Sequence, residues 1–388
     1  MAPPVRGARF PFPSFPAGWF CVGFSSEIRR GEIVRQTFMG DAVVVYRTEA
    51  GRPVVMGAYC PHMGAHLGFG GRVVGERIRC PMHGFEFDPS GRCVRTGYAT
   101  RPPPTCESRT WPTVEVHGAV FAWHDPAGKP PWFELPSLEY DGWTDLRTHV
   151  FERLPSHPQE TTENSVDVGH FGAVHRYRNV SVKTPLSLDG AHLSTGYHFE
   201  RRGLFPGAPT ASVDFAVHVH GLGFSFVDVA ISSYGLLSRN LVLPTPTDGD
   251  HIDLRVGLRL KGAAGPLRAT PPRLLDLVMG KLALRTYVAD VAQDYDIWAN
   301  KRYADPAALA DGDGPIGKYR VGSAVLSRRI DRGLSPPRRT CARGETPRGS
   351  SAPSRGRDAV SPEVNGLSGR RGRAWNPRIS AGPAAWTT

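Results

Sequence analysis

Two short loops carry the residues best suited to hold iron and sulfur. They are Cys60-Pro61-His62 and Cys80-Pro81-Met82-His83, a Cys-x-His and a Cys-x-x-His separated by residues 63–79. Two thiolates and two imidazoles are the ligand set of a [2Fe–2S] cluster in which two histidines replace two cysteines on one iron. Each loop would give its cysteine to the inner iron and its histidine to the outer one. Pro61 and Pro81 stiffen the loops. Gly64, Gly68, Gly70, Gly71 and Gly84 let backbone N–H groups approach the sulfurs, which raises the reduction potential. Structural zinc also takes cysteine and histidine, but this pairing of spacings is unusual for it.

Further ligands lie in Glu160–His175 (ETTENSVDVGHFGAVH). Asn164, Asp167 and His170 recur at intervals of three and would share one helical face. Thr161 or Thr162 reads as the helix cap, with Glu163 in the first turn. His175 lies about 140° round an ideal helix from His170. Both can reach one metal only if the helix opens or ends between them, and Gly169 and Gly172 give that freedom. Non-haem Fe(II) oxygenases use two histidines and a carboxylate and leave other positions open for O₂ and substrate. His170 and His175 are the candidate imidazoles, and the carboxylate must come from elsewhere. Two unrelated histidines near a helix end are the alternative.

The elements that must position these residues follow from pattern. Short runs rich in Val, Phe and Tyr at 19–24, 33–38, 42–48 and 53–57 predict a small antiparallel sandwich. Thr113–Val116 and Ala119–His124 complete it, with the ligand loops at hairpin tips. Gly68–Gly75 precedes a strand rather than a helix, so it is no phosphate loop. Pro126 to Pro136 reads as a linker. Residues 180–260 alternate apolar and polar residues, as in Ala211–Val219, Phe224–Ile231 and Ile252–Leu260, and predict an antiparallel sheet with one buried face. Phe215, Val217, Val219, Phe224 and Phe226 could line an apolar pocket, though plain core is the commoner fate. His218 and His220 read as structural or pocket-edge residues. Pro272–Tyr303 predicts a long helix that opens at Pro271-Pro272.

Charge excludes one function class. The net charge is +11, but from Gly322 onward there are thirteen Arg, no Lys and four acidic residues. That segment carries +9 and leaves +2 for residues 1–321, so a nucleic-acid partner is not supported. Its Ser, Pro, Gly and Arg content cannot bury enough apolar surface to order itself, which predicts a disordered tail over 322–388. The six cysteines show no framework spacing beyond the two in the loops, as in a reducing compartment. No apolar run is long enough for a signal peptide or membrane span. A cytoplasmic protein, peripheral to a membrane if its substrate lies there, is the expectation.

Residues 60–91 (CPHMGAHLGFGGRVVGERIRCPMHGFEFDPSG) resemble the Rieske domain of the non-haem iron oxygenases. Respiratory Rieske proteins carry a further cysteine in each loop and a serine after the second histidine. Ala65, Met82 and Gly84 stand at those places, which points to the lower-potential oxygenase type. Asp167-x-x-His170-x-x-x-x-His175 resembles the iron motif of the same family. CPHMGAHL, QDYDIWANKRY and LADGDGPIGKYR place the resemblance near 3-ketosteroid 9α-hydroxylase oxygenase components and cholesterol 7-desaturases. It covers about residues 10–320.

That resemblance implies an α+β chain. An N-terminal arm (1–16) would precede an all-β Rieske sandwich (17–127), a linker (128–145) and a helix-grip catalytic domain (146–321) with a mononuclear iron. It implies Asp294 as the third iron ligand, with Asp290 and Asp296 as rivals from sequence alone. Asn164 and Asp167 would be catalytic residues, Asp167 joining His170 to a cluster histidine. A separate NAD(P)H-dependent reductase or ferredoxin would supply electrons. The electron would cross from His83 of one chain through Asp167 to His170 of the next, which implies a homotrimer. O₂ would then be used to hydroxylate or desaturate an apolar substrate, a steroid or sterol. The alternatives are ring hydroxylation or O-demethylation of another aromatic substrate, a Rieske electron carrier with an impaired catalytic domain, or a zinc-bearing binding module.

Overall fold

Alternating sequence produces alternating burial. In Ala211–His220, Ala211, Val213, Val217 and Val219 are buried, while their neighbours are half-buried or exposed. The computed structural model describes residues 9–203 and 210–326. In it this strand belongs to a seven-stranded antiparallel sheet. The strand order is Arg147–Leu154, Ile252–Gly262, Leu236–Pro246, Phe224–Ile231, Ala211–His220, His192–Arg201 and Arg178–Asp189. Most neighbours in the order are neighbours in the chain. Asp189 pairs with His192 across a two-residue turn whose first residue, Gly190, has φ 55; that left-handed value suits a primed hairpin turn and favours glycine.

The helical run Pro272–Leu275, Asp276–Gly280 and Lys281–Asn300 lies along this sheet. Its inner side chains pack on the sheet, as Tyr287, Val288 and Val291 do against Leu254 and Val256. Tyr287 also donates its hydroxyl to the Leu241 carbonyl at 2.9 Å.

Residues 18–124 build three small antiparallel sheets. Gly18–Phe24 pairs with Ala119–His124, which pairs with Thr113–Val116. Ile33–Phe38, Asp41–Arg47, Pro53–Gly57 and Thr110–Trp111 form the second. The third, Arg72–Val74, Arg77–Arg79, Glu86–Phe87 and Cys93–Arg95, lies between and after the ligand loops. The two halves share apolar packing, with Phe121 and Trp123 in one cluster with Phe224 and Leu241. Thr245 Oγ1 donates to the Cys21 carbonyl at 2.7 Å across the same boundary.

Four expectations need correction. The helix expected to start from a Thr161 or Thr162 cap is two short ones: Pro158–Glu163 and Gly169–Ala173. The first starts earlier because Pro158 occupies its first turn, and the cap is the His157 ring, which accepts from the Gln159 N–H at 3.1 Å. The long helix stops at Asn300 rather than Tyr303, with Lys301 extended. There Arg9 Nε donates to the Lys301 carbonyl at 2.8 Å, and the Tyr303 N–H donates to the Arg9 carbonyl at 3.2 Å. Helix Ile316–Leu326 runs past Gly322, where the tail was expected to begin; the rest of the tail lies outside the described residues. Of the five candidate pocket residues only Phe215 and Val217 line the cavity. Val219 packs in the main core, and Phe224 and Phe226 face the N-terminal half.

Candidate metal centres

The two cysteine–histidine loops are near copies in backbone as well as sequence. The Cys60 N–H donates to the Ala65 carbonyl at 2.8 Å and the Gly64 N–H to the Cys60 carbonyl at 2.9 Å. In the second loop the Cys80 N–H donates to the Phe85 carbonyl at 2.8 Å and the Gly84 N–H to the Cys80 carbonyl at 3.1 Å. Gly64 and Gly84 close these turns at φ 76 and φ 69, where a side chain would be strained. Both cysteines are buried, while His62 and His83 are only partly covered. The imidazoles stand 4.7 Å apart, and His62 stacks on Phe85 at 4.2 Å. Burial, with the Cys80 thiol alongside, pushes the Cys60 thiol up to about 12. Two buried thiols packed together are poorly stabilised as thiolates, and iron would supply positive charge there. Sulfur inside and nitrogen outside fits a cluster with one cysteine-held and one histidine-held iron.

The second centre collects ligands from separate elements. His170 sits on the short helix Gly169–Ala173, His175 follows that helix, and Asp294 lies on the inner face of the long one. Their ligand atoms all fall within 4.8 Å of one another. His175 Nε2 is 3.5 Å from Asp294 Oδ2, and the two imidazole rings are 5.0 Å apart. The second helix ends at Ala173, between the two histidines, and that end lets both rings turn to one point. Asp167 sets the first ring: its Oδ1 accepts the His170 backbone N–H at 3.1 Å, and its carbonyl accepts from His170 Nδ1. That leaves His170 Nε2 for a metal.

Burial lowers His170 to about 4 and also lowers His175, so both imidazoles are neutral, the form that ligates. Burial raises Asp294 to about 6, and the neighbouring His175 ring and then the Asn164 side chain oppose the rise. His175 Nδ1 is buried without a hydrogen-bond partner among the described residues. Two neutral histidines, one carboxylate and an unpaired buried nitrogen fit a non-haem Fe(II) site with open positions. The rivals of Asp294 are used elsewhere: Asp290 pairs with Arg201 at 2.6 Å, and Asp296 is exposed.

Sequence reasoning missed the charges that hold this centre. Glu160, fully buried, pairs with Lys301 at 2.5 Å, and Glu163 takes both arms of Arg320 at 2.7 and 2.8 Å. Tyr319 donates to the Gln159 carbonyl at 3.2 Å. These contacts clamp Pro158–Glu163, and therefore Asn164, between the end of the long helix and Ile316–Leu326. Only packing reveals them, because the pairs are more than a hundred residues apart.

A cavity opens on His175 and Asp294. Val213, Phe215, Val217, Val227 and Val229 make one wall, and Ala283, Tyr287 and Val291 of the long helix make another. From Ala283 to Trp298 the helix spans about 22 Å, so the cavity is long as well as apolar. Asn240 lines it with its Oδ1 buried and without a hydrogen-bond partner among the described residues.

Residues 18–112 match the Rieske [2Fe–2S] domain family, and residues 122–321 match the 3-ketosteroid 9-alpha-hydroxylase C-terminal domain family, about half of the chain. The chain belongs to the Rieske oxygenases. A probable 3-ketosteroid-9-alpha-monooxygenase oxygenase component of Rhodococcus rhodochrous is 31% identical over 344 residues, covering 82% of this chain and 79% of that protein. Cholesterol 7-desaturase nvd 1 of Ciona intestinalis is 29% identical over 331 residues, covering 79% of this chain and 68% of that protein. Dicamba monooxygenase bound to dicamba has the same fold, with a TM-score of 0.62 at 18% identity, covering 80% of this chain and 96% of that one. This Rieske oxygenase is therefore an α+β oxidoreductase with an N-terminal Rieske domain and a catalytic domain of its family. It carries a [2Fe–2S] cluster and a mononuclear iron, uses O₂, and works as an oxygenase component with a separate reductase or ferredoxin. Among the described residues no helix is long and apolar enough to cross a membrane.

Proposed function

We propose that this oxygenase component hydroxylates or desaturates a steroid. The observation that carries the reading is the long apolar cavity that ends on His175 and Asp294. When bound, the iron supplies activation of O₂ with electrons delivered through the cluster. The chain's own residues do the rest. Cys60, His62, Cys80 and His83 hold the cluster; His170, His175 and Asp294 hold the iron. Asp167 fixes the His170 ring, and Asn164 lines the same cavity as the Asp294 carboxylate and favours its charged form. Valine and phenylalanine side chains exclude water and fix an apolar body against the long helix. Asn240, an unpaired polar group in an apolar wall, suits a hydroxyl or keto group on that body. Three assembled ligands speak against a mere electron carrier.

The reading includes a homotrimer in which the cluster of one chain faces the iron site of the next. The exposed ring of Met63, Met82 and Tyr98 around His62 and His83, 65, 56 and 55% exposed, supports a surface that another molecule covers. A cytoplasmic site is part of it. So is a domain division at 128–145, a segment without helix or strand. Incubation with NADH, a matching reductase and a panel of sterols and 3-ketosteroids tests the substrate. A hydroxylated or desaturated steroid is the expected product. Turnover of aromatic ethers or arenes alone would overturn the steroid reading.

A further inference from the structure

The long helix that lines the cavity also has an outward face, and that face is apolar. Leu274, Leu277, Val278 and Leu282 are 49, 76, 69 and 44% exposed. Their spacing of three, one and four puts them in a single stripe. Surface helices normally show the reverse, with polar residues outward. The inward side is packed in the ordinary way by Leu275, Met279 and Leu284, so the run has apolar residues on both sides. Four exposed cations, Arg268, Arg273, Lys281 and Arg285, rim the stripe. The one acidic residue of segment 263–289 is Asp276, and both its oxygens are taken by Arg147 at 2.6 and 2.8 Å. The segment therefore carries four cations and no acidic side chain of its own left to offset them.

We propose that this face, Leu274 to Arg285 with Arg268, docks on the surface of an anionic lipid bilayer. The stripe would enter the boundary between headgroups and acyl chains while the cations meet lipid phosphates. Charge selects this occupant over a second copy of the chain. A two-fold contact through the stripe would bring four cations against four. The helix also explains what docking accomplishes. Ala283, Thr286 and Tyr287, within about a turn and a half of Leu282, line the cavity from the other side. A bilayer-dissolved apolar molecule would meet the same helix from outside that it contacts inside. Exposure and charge would hold this face to a bilayer whether or not the substrate is a steroid.

Sedimentation of the full-length, metal-loaded protein with phosphatidylcholine vesicles, with and without phosphatidylserine, tests this. Wild type should pellet with the anionic vesicles and be released as salt rises. Leu277→Glu with Val278→Glu should leave the protein in the supernatant. Lys281→Glu with Arg285→Glu should weaken binding by about tenfold or more. The melting temperature and iron and sulfide contents of both variants should match wild type, since all four positions are exposed. Failure of wild type to pellet would overturn the proposal. So would a Leu277/Val278 variant that pellets like wild type, which would assign the binding to the Arg-rich segment after Gly322. A variant that falls apart from a wild-type oligomer would assign the stripe to a second copy and equally overturn it.

Discussion

The cluster loops and the iron site solve the same problem in opposite ways. The loops repeat one six-residue design, Cys60–Ala65 and Cys80–Phe85, each closed by its own backbone hydrogen bonds. Their ligands lie within 24 residues of sequence, and the histidines face outward. The iron site gathers a broken helix and a residue 119 positions beyond His175, held by buried ion pairs. An electron-transfer centre benefits from an exposed edge, whereas an oxidising centre must be shielded from water. One site is therefore built by local turns, the other by tertiary packing, and they should fail independently.

Removing single ligands breaks the comparison most severely. Cys80→Ala should abolish the cluster's visible absorption and leave the mononuclear iron. Asp294→Ala should do the opposite, and both should abolish turnover. Loss of both metals from either variant, seen by elemental analysis, would contradict independent construction. Asp167→Asn is gentler. It keeps the backbone carbonyl that orients His170 while removing the carboxylate charge, so both metals should remain while turnover falls by about 10- to 100-fold. Unchanged single-turnover rates would remove Asp167 from the electron path.

Acid sensitivity is shared by both halves, since burial lowers His124 to about 4. Burial also lowers His157, the cap of Pro158–Glu163, to about 4 from its ordinary 6.5. A depressed histidine contributes stability that is present above pH 6.5 and lost as pH falls toward 4. The loss is at most about 1.4 kcal/mol per pH unit in that window. The catalytic half should therefore show a melting temperature that drops over this range. His157→Gln should flatten that slope, and a slope unchanged in the variant would assign the titration to another group. The smallest effect separates the twin loops. Gly64→Ala meets nothing within 4 Å and should cost about 1–2 kcal/mol for its left-handed backbone alone. Gly84→Ala also presses on the Gly97 Cα at 3.3 Å, so its melting temperature should fall further. Equal shifts would mean that the second loop yields freely.

This contrast explains what could be read from the chain. The loops are local, so Cys60, His62, Cys80 and His83 are visible in spacing alone. The strands announce themselves by alternation, and Phe224–Ile231 has the limits its pattern predicts. Spacing also showed that a helix must break between His170 and His175. It did not show that Pro158 and the His157 ring would move the start of the first helix. Asp294 could not be chosen over Asp290 by pattern, because the choice depends on Arg201 capturing Asp290 across the fold. The pocket wall was half legible. Alternation says which residues share a face, but Phe224 and Phe226 turn toward Phe121 and Trp123 only because the N-terminal half packs there.

The central claim is that one chain holds a cluster and a separate iron. Iron, zinc and acid-labile sulfide per chain, measured on anaerobically purified protein, test it most directly. The account predicts about three irons to two sulfides, with zinc near zero. About two irons to two sulfides, with His170, His175 and Asp294 intact, would contradict the mononuclear site and leave a lone Rieske cluster.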